Sequence, residues 1–170
     1  MKVKDIMIIG IVLLAYWLLI HFIMGGMENK TIIIFFIVIP GLISSFNFLM
    51  RKNVNFQWYY TSKYNLLTSK YKASTISDLP KELMFQKMIE VIDSSHLKLI
   101  HTEEESLKIF AIKGLTWQSW GENIYIEFYE ENGQTIMSFT STAVMGIVSM
   151  GRNEENYGGL LANYEESLII

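Results

Sequence analysis

Cysteine is absent from the sequence, which excludes disulfide bridges, thiolate metal sites and cysteine nucleophiles. Its absence assigns no compartment, because cytoplasmic and exterior proteins both manage without it. Familiar catalytic signatures are missing as well: there is no Gly-x-Ser-x-Gly elbow, no His-Glu-x-x-His helix and no pair of catalytic carboxylates. An active site assembled from scattered residues would leave no such trace. The sequence therefore assigns no enzyme class, no metal and no cofactor.

The most informative scarcity is of charge. Residues 6–24 and 31–50 contain no Asp, Glu, Lys or Arg, whereas charged side chains gather after Pro80. A formal net charge of -3 hides this split. Residues 1–78 carry eight Lys/Arg against Asp5, Glu28 and Asp78, while residues 79–170 carry six Lys/Arg against fourteen Asp/Glu. An acidic domain on a basic stalk argues against a nucleic-acid partner, because neutralising phosphates takes clustered cations.

The two uncharged runs read as transmembrane helices. At ~1.5 Å per residue each is close to the ~30 Å needed to cross the hydrocarbon layer. A cleaved signal peptide is the competing reading of the first run, since Lys2 and Lys4 precede it. The run is long, however, GGMENK is a poor cleavage site, and a second span follows at once. The short polar connection 25–30 makes the spans an antiparallel hairpin over 1–52. Lys2 and Lys4 precede the first span, Arg51 and Lys52 follow the second, and only Lys30 lies between. The positive-inside rule then puts both termini, and the domain, in the cytoplasm of a multi-pass cell-membrane protein. His21 lies near the outer end, where snorkelling competes with a proton or ion role. Pro40 predicts a kink, and Gly41 with Ser45 forms a small-xxx-small face for packing within the hairpin or in a homo-oligomer.

Residues 53–76 read as a juxtamembrane linker. Trp58, Tyr59 and Tyr60 follow Arg51 and Lys52 closely, and this set is expected in the headgroup layer of the bilayer. Lys63, Lys70 and Lys72, alternating with Tyr64, Leu66, Leu67 and Tyr71, suit an electrostatic tether to anionic lipid. Residues 71–76 are also a candidate first strand.

Residues 77–170 read as a cytoplasmic α+β domain with an antiparallel sheet of four or five strands and two helices on one face. Ser77-Asp78-Leu79-Pro80 is a helix start with proline in the first turn, and Phe85, Met88, Ile89 and Ile92 repeat at helical spacing. Strands are predicted at 97–101, 107–113, 123–130 and 135–142. In the third, Ile124, Ile126 and Phe128 alternate with Tyr125, Glu127 and Tyr129, the period of two expected when one sheet face is covered and the other wet. Asn132-Gly133 predicts a tight hairpin. A last helix is predicted from Asn153, with Tyr157, Leu160, Leu161, Tyr164 and Leu168 at helical spacing. Gly158-Gly159 weakens it unless close packing requires them.

IKGLTWQSWGENIYI at 112–126, SFTSTAV at 138–144 and GRNEENYGGLL at 151–161 together resemble an uncharacterised family of small bacterial membrane-linked α+β domains. The resemblance rests on Ser119-Trp120-Gly121-Glu122 opening a strand, the Ser/Thr-rich strand, and Gly151, Asn153 and Asn156 at the last helix. It covers about half the chain and implies no activity.

Two further constellations carry little chemistry. The stretch from Gly146 to Asn153 has the outline of a phosphate loop, but an antiparallel strand precedes it and Glu154 and Glu155 occupy the positive helix end, so capping by Asn153 is preferred. His96 and His101 with Glu103, Glu104 and Glu105 form no coherent ligand set and read as a solvated acidic turn. Trp117 and Trp120, with Glu122 beside them, remain: they suit either sealing of the sheet edge or a surface for a protein partner. These features describe a membrane-tethered binding or scaffold module. The alternative is a ligand-sensing domain coupled to a membrane-perturbing two-helix effector, which a concave site lined by the Trp loop and the Ser/Thr strand would favour.

Overall fold

The computed structural model describes residues 39–63, 65, 68–116, 119–146 and 151–168. The expected span 6–24, residues 31–38 of the second span, and Trp117 lie outside the described residues. Among the described residues no helix is both long and apolar enough to cross a membrane. The chain divides into two units, Met1–Met50 and Arg51–Ile170. In the first, helix α1 (Ile39–Met50) exposes Leu42, Ile43, Phe46, Phe48 and Leu49. Gly41 and Ser45 are exposed too, and a Cβ built on Gly41 would meet open space.

The second unit is α+β. After a 3-10 turn (Val54–Phe56) it runs α2 (Gln57–Thr61), β1 (Lys70–Ser77), α3 (Lys81–Ser94), β2 (Leu97–Glu103), β3 (Lys108–Lys113), β4 (Glu122–Glu131), β5 (Gln134–Ala143) and α4 (Arg152–Ser167). The five strands form one antiparallel sheet in the order β1-β5-β4-β3-β2. Asn132 (φ 54) and Gly133 (φ 79) both take positive φ, the requirement of a type I′ turn, and Glu131 pairs directly with Gln134. That two-residue loop fixes the β4–β5 register, because a slip of one residue would send each apolar side chain to the wrong face.

Helices α3 and α4 cover one face. Met84, Phe85, Met88, Val91 and Ile92 of α3 and Leu160 and Tyr164 of α4 pack on Ile109, Ala111, Ile124, Ile126, Phe128, Met137 and Phe139. Tyr157 joins α4 to both Tyr71 and Phe139 through ring contacts, and its hydroxyl hydrogen-bonds Thr75 Oγ1 at 2.6 Å. Proline falls outside α3 rather than in its first turn. Pro80 is extended (ψ 137) and precedes Lys81, its carbonyl accepts from Met84 N at 3.0 Å, and the Ser77 hydroxyl accepts from Leu79 N.

The opposite face departs from expectation. Tyr125 stacks on Phe110 with ring centroids 4.8 Å apart, and with Ile112 they form a second apolar cluster closed by Tyr60 and edged by Phe56, Tyr59 and Ile100. This face is dry where α2 covers Phe110, Ile112 and Tyr125, and wet along β1 and toward the hairpin, where Lys72, Ser74, Ile76 and Tyr129 are exposed. The aromatic stretch after Arg51 is thus part of the folded unit, which begins well before residue 77.

Candidate functional site

Arg51 organises one end of the sheet. Its Nη2 donates to the Lys113 carbonyl at 2.6 Å and Nη1 to the Trp120 carbonyl at 3.3 Å, so the guanidinium bridges the two ends of the β3–β4 loop. The Arg51 carbonyl accepts from Asn123 Nδ2 at 2.9 Å, and the same nitrogen lies 3.1 Å from the Tyr125 hydroxyl. Within the loop, Thr116 and Ser119 exchange backbone hydrogen bonds, the Ser119 hydroxyl donates to the Glu122 carboxylate, and Gly121 N donates back to Ser119 Oγ. Gly121 has φ 93, and a Cβ there would sit 2.7 Å from both Arg51 Nη atoms and from the Lys113 carbonyl. Glycine is required on two independent grounds.

Burial has the expected electrostatic consequences. Desolvation pulls the Arg51 pKa down, opposed by Glu122 and then Tyr60. Desolvation pushes the Tyr60 phenol up to about 12, helped by Tyr59 and opposed by Arg51. Tyr125 is also raised by burial, against the Asn123 hydrogen bond. For both phenols the shift is away from neutrality.

Several residues singled out in the sequence are relocated by this arrangement. Arg51 (4% exposed) and Tyr60 (0%) lie inside the domain rather than in a headgroup layer: the guanidinium is occupied by backbone carbonyls and the ring closes the second apolar cluster. Tyr59 is half-buried in the same cluster, while Lys52 and Trp58 are exposed. Glu122 (2%) is buried and offers no surface to a partner. Trp120 and Leu115, in contrast, are 56% and 55% exposed on the pinned loop. Asn153 does not cap α4, because Gly151 holds the cap position with φ 87. Instead Asn153 accepts from the Ser141 hydroxyl at 2.8 Å and donates to Ser69, and Lys113 Nζ donates to Asn156 Oδ1 at 2.7 Å. These buried amides seat α4 on the sheet. His96 and His101 are exposed, and among the described residues no three His, Asp or Glu side chains are grouped to hold a metal.

A trough that the sequence pattern does not announce lies on the face opposite α3 and α4. It encloses about 250 Å³ and is lined by Gln57 and Thr61 of α2, Lys72 of β1, Tyr125 and Glu127 of β4, and Ser138 and Thr140 of β5. The register puts Lys72, Thr140 and Tyr125 in one cross-strand row and Ser74, Ser138 and Glu127 in the next. The hydroxyl alternation in SFTST is the sequence trace of this floor, since Ser138 and Thr140 alternate with the core residues Met137 and Phe139. What the sequence does not convey is the wall, which exists because α2 folds back onto the sheet.

No family model and no curated protein matches the chain. Among solved structures, a similar chain trace is found in the crystal structure of Ara h 8.0201, at 7% identity and TM-score 0.48, covering 61% of this chain and 99% of that one. A second is TTHA0849 from Thermus thermophilus, at 13% identity and TM-score 0.42, covering 59% of this chain and 97% of that one.

Proposed function

We propose that the chain is a membrane-tethered binding module, whose cytoplasmic domain docks a protein partner on the β3–β4 loop. The observation that carries this reading is the presentation of Trp120 and Leu115. Both are more than half exposed on a loop whose ends are clamped by a buried arginine. A large apolar side chain on a loop anchored at both ends suits a binding hot spot, because anchoring reduces the conformational freedom lost on docking. The excess of acidic residues over 79–170 calls for a partner with a basic rim around its apolar pocket.

The tether is the hairpin of residues 6–24 and 31–50. The five exposed apolar side chains of α1 support it, since such a patch is unfavourable in water and ordinary in lipid.

The test uses the full-length protein in its native membranes, with a photoreactive side chain in place of Leu115 or, as control, of Glu165. Irradiation should give a discrete protein adduct from position 115 alone, and Trp120→Ala should abolish it. The same adducts from both positions, or an adduct indifferent to Trp120→Ala, would remove the loop as the docking element. Orientation is read by protease added to sealed inside-out vesicles, which should digest the domain; protection would reverse the assignment.

A further inference from the structure

The trough on the outer sheet face has a use that the Trp120 loop does not account for. Its lining carries one cation, Lys72, and one anion, Glu127, and between them the hydroxyls of Ser138 and Thr140. Among the described residues the Lys72 ammonium and both hydroxyls have no hydrogen-bond partner. Glu127 has only the Gln57 amide, at a long 3.4 Å. Lys108 is the cross-strand neighbour of Glu127 on β3, yet the two form no ion pair. One row away, the Thr142 hydroxyl and Asn123 Oδ1 are buried without partners. Buried polar groups are normally paired, so the unpaired Thr142 and Asn123 atoms stand out; beside them the partly exposed Ser138 and Thr140 and the exposed Lys72 gather polar groups open to a ligand in one concavity.

The separation of the charges selects the ligand. Lys72 and Glu127 stand two strands apart and one row out of line, about 10–12 Å between Cα atoms by sheet spacing. Lysine and glutamate side chains are both long and flexible, so a ligand that meets both charges need span only part of that separation. We propose that this trough binds a small zwitterion, with a phosphate or carboxylate on Lys72 and a primary ammonium on Glu127, its middle held by Ser138 and Thr140. The Gln57 amide would release Glu127 on binding, and α2 would close as the wall. A purely anionic ligand would face Glu127, and a purely cationic one Lys72, so each is disfavoured by like charge. The same chemistry occurs in free phosphoethanolamine and in a phosphatidylethanolamine headgroup.

The experiment titrates free phosphoethanolamine into the full chain, held in nanodiscs of phosphatidylcholine or of phosphatidylethanolamine, and follows heat and hydrogen exchange of residues 57–61. Binding is expected in phosphatidylcholine discs, with added protection of α2. Lys72→Met and Glu127→Gln should each weaken it by at least about tenfold, as for truncating one side of a charge pair, at unchanged melting temperature. Ethanolamine and inorganic phosphate should each bind at least as weakly as the ligand does to those variants. Competition seen only in phosphatidylethanolamine discs makes the lipid the source of the headgroup; equal binding in both makes it a soluble metabolite. Absence of binding in phosphatidylcholine discs, or binding that neither variant alters, or equal binding of phosphate alone, overturns the proposal without touching the docking loop.

Discussion

Arg51 Nη2 donates to the carbonyl of Lys113 at 2.6 Å, joining residues 62 positions apart in the chain. The contact closes β3 against the segment that enters the domain, and with the Trp120 carbonyl it fixes the start of β4. Gly121 makes the approach feasible, because any side chain at that position would occupy the space of the guanidinium.

Gly121→Ala should therefore destabilise the domain by about 1–3 kcal/mol from backbone strain alone, with the collision added to it. Gly133→Ala, also at positive φ but facing open space, should cost less. Equilibrium unfolding of the two variants ranks them; an equal loss would mean that the Arg51 contact is unimportant.

Tyr60 and Trp58 are two residues apart and should behave oppositely. Tyr60→Ala empties a fully buried position and is expected to cost about 3–5 kcal/mol, the range for large aromatic deletions in cores. Trp58→Ala removes an exposed ring and should stay within about 0.5 kcal/mol. Similar effects of the two on the unfolding midpoint would return Tyr60 to the domain surface.

Much of the domain is legible in the sequence because its signals are local. Asn132-Gly133 dictates its own turn, and the alternation of Ile124, Ile126 and Phe128 identifies the face under the helices. The role of residues 56–60 is not legible, since aromatic residues beside Arg51 and Lys52 satisfy the pattern of a membrane interface equally well. Only the tertiary partners Phe110, Ile112 and Tyr125 decide between the two, and no spacing rule links them to Tyr60. The role of Asn153 is hidden for a related reason. Its type and position suit a helix cap, but the left-handed Gly151 takes that place and the buried Ser141 claims the amide. The trough follows from the same fold-back of α2 and is concealed with it.

Gly158 and Gly159 lie within α4 with open space where a Cβ would stand. Packing does not require them. Gly158→Ala and Gly159→Ala should each stabilise the protein, by about 1 kcal/mol at most, from helix propensity. Thermal unfolding measures this, and a loss of stability in either variant would expose a steric demand at that position.

The buried tyrosines predict a weakness at alkaline pH. Tyr60 is raised to about 12, and Tyr125 and Tyr164 are raised in the same direction, all chiefly by desolvation. Their phenols stay protonated in the folded state at pH values where the unfolded chain, titrating near 10, has lost the proton. The unfolded state then binds fewer protons, so stability falls as pH rises. The contribution of Tyr60 is complete below pH 10 and is lost between pH 10 and about 12, a change on the order of 3 kcal/mol at ~1.4 kcal/mol per unit. Lys70 and Arg51 act in the opposite sense, because burial lowers both pKa values, but they are two groups against three. Tyr60→Phe keeps the ring and removes the titration, so its unfolding free energy should fall less steeply than wild type across this window. If the two slopes are the same, the Tyr60 hydroxyl is in contact with water and the second apolar cluster is open.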